Sequence, residues 1–388
     1  MPFQASPMFP GDLYDTTLRV AANAVAADAV AVNAALTEAQ ASDQASDSWQ
    51  QFLELGWQAV LVPEASGGAG STFADVASIA EAAGRYGLTT PLVARCAVVP
   101  AVLGAIPGRD DVAQMLGLLA AGEVSIAPVF AHDGSCSLTA MVDAEGVQLQ
   151  GSLRGIDLSE PASHLLFLAR SAAGEALLLL ASRDQLGGSL QSWTGHDGRL
   201  TADLALKATR LPASAVLQRG RAAVAAAERA GTVGALVCCA QIVGAIGAMV
   251  EQTIEYLNTR QQFGVQLSTF QALRHRTVEM YVAYESVRGM VRERVVAFDL
   301  GDSDAHAVAL LKHYLSIAAR QVGESAIQLH GGIGMSRELP AARLAMHAIG
   351  CSLQWGDRYE QLDSLAAGMA AEIAAEVAAE SAPTAARA

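Results

Sequence analysis

From Ala230 to Val250 the chain runs twenty-one residues without a charged side chain. A segment of that length has two homes, the hydrocarbon of a bilayer or the middle of a protein core. Gln241 interrupts it, Gly and Ala dilute it, and no aromatic belt flanks it, so a helix wrapped by other helices is the better reading. The run sits inside Arg221 to Arg260, which is too long for an average helix and suits the central helix of a bundle with its lead-in.

Composition supports a helical core. Of 388 residues, 52% are hydrophobic but only 5% aromatic, which favours closely packed helices over aromatic-rich sheets, and the length suits two to three domains. The net charge of −14 leaves no basic field for a phosphate backbone or an anionic bilayer, which argues against nucleic-acid and membrane-surface roles. Cys96, Cys136, Cys238, Cys239 and Cys351 are odd in number and irregular in spacing, so neither a disulfide framework nor a metal site is suggested. Met1 to Pro10 lacks the basic and apolar regions of a signal peptide, and a reducing cytoplasm is expected.

Periodicity divides the chain into three. Asp12 to Gln40, Ser46 to Leu55 and Phe73 to Tyr86 read as helices, with Trp49, Phe52 and Leu53 at helical spacing. Leu138 to Val142 and Val147 to Leu153 read as strands about the turn Asp143 to Gly146, and Leu165 to Ala169 and Ala176 to Ala181 as two more. Helical spacing returns in Gln271 to Phe298, Ala305 to Leu329, Leu339 to Leu353 and Tyr359 to Ala379. The expected fold is α+β and mainly α: an N-terminal helical domain over 1–123, a mostly antiparallel β domain over 124–216, a four-helix bundle over 217–380, and a tail over 381–388.

This order, together with three strings, resembles the acyl-CoA dehydrogenase family. The strings are Leu55-Gly56-Trp57 with Val62-Pro63-Glu64 and Gly67-Gly68-Ala69-Gly70; Asn258-Thr259-Arg260-Gln261-Gln262-Phe263-Gly264, continuing to Phe270-Gln271; and Gln328-Leu329-His330-Gly331-Gly332-Ile333-Gly334-Met335. Arg260 offers a planar fork suited to a pyrophosphate, Phe263 a ring for a flat heterocycle, and the paired glycines a close approach to backbone. The resemblance implies that Arg260, Phe263, Gln271, Gln328, Gly331 and Gly332 contact the flavin adenine dinucleotide of a neighbouring subunit. It also implies a homo- or hetero-tetramer in lipid metabolism, an acyl-CoA thioester as substrate, and an electron-accepting flavoprotein as a further partner.

The chain departs from the family where chemistry is expected. The usual Glu that removes the proton beside the thioester carbonyl falls on Trp355, within Gln354-Trp355-Gly356. A second family position for that base, twenty-six residues before Arg260, is Gly234. The Trp that covers the flavin in relatives falls on Gly155, and the Thr-Glu-Pro and Gly-Ser-Asp strings correspond to Ala127-Pro128-Val129-Phe130 and Asp133-Gly134-Ser135. An Arg and an Asp near the thioester are Ala235 and Thr232 here. Asp357 is the candidate substitute base, weighed against service as a helix cap, and Glu228 is a further carboxylate. The pattern resembles degenerate subunits of bacterial α2β2 enzymes. It leaves two readings: a flavin-dependent dehydrogenase, and a structural subunit that completes a partner's flavin site.

Overall fold

The computed structural model describes residues 3–33, 49–130, 138–336 and 338–381. Cys136, the Asp133-Gly134-Ser135 turn and the expected tail beyond Ser381 lie outside the described residues. The N-terminal part is helical: α1 (Asp12–Asn33), a helical segment at 49–54, α2 (Phe73–Gly84), a π-helical turn (Val93–Val98) running into Val99–Leu103, and α3 (Asp110–Ala120). Phe52 stacks on Trp57 with ring centroids 4.2 Å apart, as the aromatic spacing anticipates. The start of α2 is doubly satisfied. Thr72 and Asp75 form a capping box, and the Asp299 carboxylate accepts from the Phe73 and Ala74 N–H groups at 2.6 and 3.0 Å.

The β domain comprises β1 (Ile126–Val129), β2 (Leu138–Asp143), β3 (Gly146–Asp157), β4 (His164–Ser171), β5 (Ala176–Ser182), β6 (Ser189–Thr194), β7 (Leu200–Leu211) and β8 (Val216–Arg219). The last strand therefore runs past the boundary expected at Val216. Strand order is β6-β7-β3-β2-β4-β5-β8, with β1 joined to β4 in parallel and most other pairs antiparallel. Val147, Leu149, Phe167, Leu179 and Leu204 fill its core. Arg95, from the π-helical turn, ties the helical domain to this sheet by donating to the carbonyl oxygens of Glu160 and Pro161.

The C-terminal part packs α4 (Arg221–Thr259), α5 (Gln271–Asp299), α6 (Ala305–His330) and α7 (Pro340–Leu353) as a four-helix bundle, with α8 (Arg358–Ser381) laid against α6. Every residue of α4 from Val233 to Val250 is buried, so protein encloses the charge-free run. Its glycines are contact points. A Cβ at Gly244 would stand 2.0 Å from the Glu81 carbonyl oxygen, and one at Gly84 would stand 2.1 Å from that of Gln241. Backbones of α2 and α4 thus touch, a closeness only residues without side chains permit.

The segment before α1 is strapped across three helices. The Met8 N–H donates to the Glu81 carboxylate at 2.8 Å, Tyr284 O–H to the Ser6 carbonyl at 2.7 Å, and the Ala5 N–H to Glu251, which also pairs with Arg85. Burial pushes the Glu81 carboxyl up to about 7, against the lowering effects of the Met8 amide, Arg85 and Arg288. A raised carboxyl favours the fold while protonated and loses that contribution as pH climbs from its ordinary value through about 7. Glu81→Gln keeps an acceptor for Met8 but cannot ionise. Urea unfolding is therefore expected to show the wild type losing about 3 kcal/mol relative to Glu81→Gln between pH 4.5 and pH 8. A pH-independent difference would remove Glu81 as the titrating group.

Candidate active site

A cavity of about 790 Å³ lies between the β domain and the bundle, within the ~300–1,000 Å³ of ordinary small-molecule sites. Pro128, Val129, Phe130, Arg154, Gly155 and Asp157 supply the sheet wall; Glu228, Gly231, Thr232 and Ala235 of α4, with Gln354, Trp355 and Gly356, supply the helical wall. Of the two family positions for the base, Trp355 lines this cavity and Gly234 touches that ring from α4. A Cβ on Gly234 would fall 2.2–2.6 Å from three atoms of the Trp355 indole, so the ring packs flat on the bare Gly234 backbone. Trp355 adopts φ +55°, a left-handed conformation that a bulky residue rarely takes, and Gly356 follows at φ +91°. The buried Gln361 amide holds this turn by donating to the Trp355 carbonyl at 2.9 Å.

The structure gives Asp357 another task. It opens α8: its Oδ1 accepts from the Tyr359 and Glu360 N–H groups at 2.8 and 2.9 Å, while its own N–H donates to the Glu360 carboxylate at 2.8 Å. This is a capping box, and Asp357 is not among the described residues that line the cavity. The residue read as a candidate substitute base thus serves here as a helix cap. Glu228 does line the cavity, but on the exposed face of α4.

Gly155 sits in a break of the β3–β7 register between Leu153 and Ile156, at φ +69°, with its N–H donating to Asp203 at 3.0 Å. The bulge is a conformation for glycine, and space lies open where a side chain would project. No ring covers the cavity from this position.

Sequence reasoning missed the charged plug at the cavity's inner end. The β6–β7 turn inserts into the bundle, and the Arg199 guanidinium donates to Gln354 Oε1 at 2.6 Å and to Cys351 Sγ at 3.4 Å, with the Asp197 carboxylate 3.2 Å from its Nε. Gly350 leaves the room: a Cβ there would meet Asp197 at 2.4 Å. Behind the plug, burial and then Arg199 push the His347 imidazole down to about 3, so it is neutral, and Lys312 donates to the Cys351 carbonyl. Burial pushes the Cys238 and Cys239 thiols up to about 11 and 12, making them inert. Cys96, Cys238, Cys239 and Cys351 are all free and buried, and no cluster of metal-ligating side chains occurs among the described residues.

The second set of expected residues gathers at the far end of the bundle. Tyr256 O–H donates to the His330 carbonyl at 3.2 Å and their rings lie 4.5 Å apart, which joins the end of α4 to the Gly331–Met335 turn. Arg260, Gln271, Gln328, Gly331 and Gly332 are all exposed there, and Phe263, at φ +55°, is 89% exposed. Nothing lies within 4 Å of a Cβ at Gly331 or Gly332. A guanidinium, two amides, an uncovered ring and open backbone fit the nucleotide half of a flavin reached from outside this chain.

A three-part fold with a cavity between sheet and bundle is the architecture of the flavin-dependent acyl-CoA dehydrogenases, and the sequence bears this out. Residues 213–370 match the acyl-CoA dehydrogenase C-terminal domain and residues 15–106 the N-terminal domain; the chain belongs to the acyl-CoA dehydrogenase family. It is 26% identical over 321 residues to acyl-CoA dehydrogenase IpdE2 of Mycolicibacterium smegmatis, covering 82% of this chain and 86% of that protein. Among solved structures it is similar to the ChsE4-ChsE5 complex from Mycobacterium tuberculosis, with TM-score 0.79, 19% identity and coverage of 94% of this chain and 99% of that one. It is likewise similar to the Tcur3481-Tcur3483 steroid ACAD, with TM-score 0.78, 24% identity and coverage of 93% and 98%.

Proposed function

We propose that this chain is the flavin-completing subunit of a hetero-tetrameric acyl-CoA dehydrogenase and that its own cavity performs no dehydrogenation. The observation that carries the reading is the Trp355 indole packed on Gly234, which fills both places where a base would stand with a group that takes up no proton. The exposed cradle at the other end, in contrast, keeps every side chain suited to a neighbour's cofactor. The name of the ChsE4-ChsE5 complex shows that unlike chains of this fold associate. Flavin adenine dinucleotide bound in such an assembly would supply the hydride acceptor for an acyl-CoA thioester. The partner's cavity would hold the thioester, and from this chain Arg260 would hold the pyrophosphate, Phe263 would cover a ring, and Gln271 and Gln328 would bond polar edges. An acceptor flavoprotein would be the further partner of this chemistry. We place the assembly in the cytoplasm, where the four buried thiols stay reduced.

Flavin retention by the assembly tests this. A charge-assisted bond from Arg260 is worth about 1.5–3 kcal/mol, so in the complex with a base-bearing paralogue Arg260→Ala is expected to weaken flavin retention about ten- to a hundred-fold, with Arg260→Lys recovering little. Unchanged flavin content in the Ala complex would overturn the proposed role of the cradle.

A further inference from the structure

A bulky residue stays in a left-handed conformation only where its surroundings over-determine it. Trp355, at φ +55°, is held in three ways. Gly234 of α4 lies bare beneath the indole, Gln361 of α8 donates to the backbone carbonyl at 2.9 Å, and the preceding residue, Gln354, accepts from Arg199 at 2.6 Å. The first two holds belong to the C-terminal helices; the third comes from the β domain. Asp197 and Arg199 lie two residues apart, so their ion pair forms within the β6–β7 turn and needs no bundle. What docking adds is a pair of acceptors at the end of α7, Gln354 Oε1 and Cys351 Sγ, at 2.6 and 3.4 Å from the guanidinium. The carbonyl end of a helix favours cations, and Lys312 of α6 donates to the Cys351 carbonyl, which also accepts from the Gln354 N–H at 3.3 Å. Gln241, two turns along α4 from Gly234 and on the same face, accepts from Cys351 Sγ at 3.5 Å. One network therefore runs from the β domain through the last turn of α7 to residue 355. We propose that Arg199 is a positioning residue: through Gln354 it seats the Trp355 indole on Gly234, so that the blocked state of the cavity depends on docking of the β6–β7 turn. Such control deepens the reading of the cavity as unreactive, and rests on it.

The chain contains four tryptophans, so the full chain labelled with 5-fluorotryptophan gives four fluorine NMR signals, each assigned by its loss in the matching Trp→Phe variant. Trp49 and Trp57 are buried in the N-terminal core and report global change; Trp193, on β6 beside the turn, reports undocking. Gln354→Leu cuts the link while leaving Asp197 and Arg199 in place. It is expected to move the Trp355 signal to the position and solvent isotope shift of an exposed indole while the other three stay. Gln354→Glu keeps the acceptor and is expected to restore the wild-type signal, which a general loss of packing would not do. Arg199→Met is expected to move the signals of Trp193 and Trp355 together.

The proposal is overturned if the Trp355 signal stays in place in Gln354→Leu, or if Gln354→Glu fails to restore it. It is also overturned if Arg199→Met moves Trp193 but leaves Trp355, or if Trp355 already has the signal of an exposed indole in the wild type. The two Gln354 variants decide the matter should Arg199→Met fail to fold. Turnover of acyl-CoA by the unlabelled chain alone would instead defeat the underlying reading, whatever the fluorine signals do.

Discussion

Supplied with flavin adenine dinucleotide and acyl-CoA but no partner, the purified chain is expected to reduce an artificial electron acceptor about 10²- to 10⁴-fold more slowly than a base-bearing member of its family. That factor is what a positioned general base contributes. The thioester's α-proton would face the indole of Trp355 where relatives present a carboxylate, and Gly234 beneath it has no side chain to offer. Asp357 provides a clean internal control. Asp357→Asn retains the oxygen that caps α8, because Asn and Asp cap about equally well, and removes only the ionised carboxylate. The variant should fold normally and leave the residual rate unchanged. Brisk turnover abolished by Asp357→Asn would make Asp357 the base after all; brisk turnover that survived it would overturn the unreactive-cavity reading outright.

The largest effect on stability is expected at the crossing of α2 and α4. Gly244→Ala places a methyl group 2.0 Å from a backbone carbonyl oxygen, and no flexible side chain is available there to yield. Overpacking typically costs about 1–3 kcal/mol, and an obstacle made of main chain belongs at or above the upper end. The helices must part, which also loosens Glu81 and the strap across Met8. Gly332→Ala, whose methyl would meet nothing within 4 Å, serves as the comparison and should cost far less. Equal urea midpoints for the two variants would refute the close crossing.

What could be read in advance divides along a physical line. The central helix announced itself because its burial is complete and needs no faces, and the hairpin at Asp143 because an Asp–Gly-rich turn is local chemistry. The helices between Thr90 and Val124 were not anticipated. Val93 to Val98 is buried all round and lacks the polar face that marks an amphipathic helix. Gly195-His196-Asp197-Gly198 reads as a solvated turn, and only docking against Gly350, more than a hundred residues away, makes Asp197 and Arg199 interior. The absence of a base at Trp355 and Gly234 was legible from each string separately. Their mutual contact was not, since it is set by how α4 meets the end of α7. Asp357 was legible as either cap or base, and its hydrogen bonds are those of a cap.

The contact between Trp355 and Gly234 also constrains how this site can be altered by successive substitutions. A carboxylate introduced at position 234 while the indole remains would have to occupy the same volume, so Gly234→Glu alone is a dead end, whereas after Trp355→Gly the same change finds room. The two positions therefore behave as one locus with strong sign epistasis, and the fitness of either allele is undefined without the other. Starting from Trp355, a base can reach position 234 only through an intermediate that has lost the indole and has no base. A subunit whose partner supplies the chemistry is a setting in which such an intermediate survives selection.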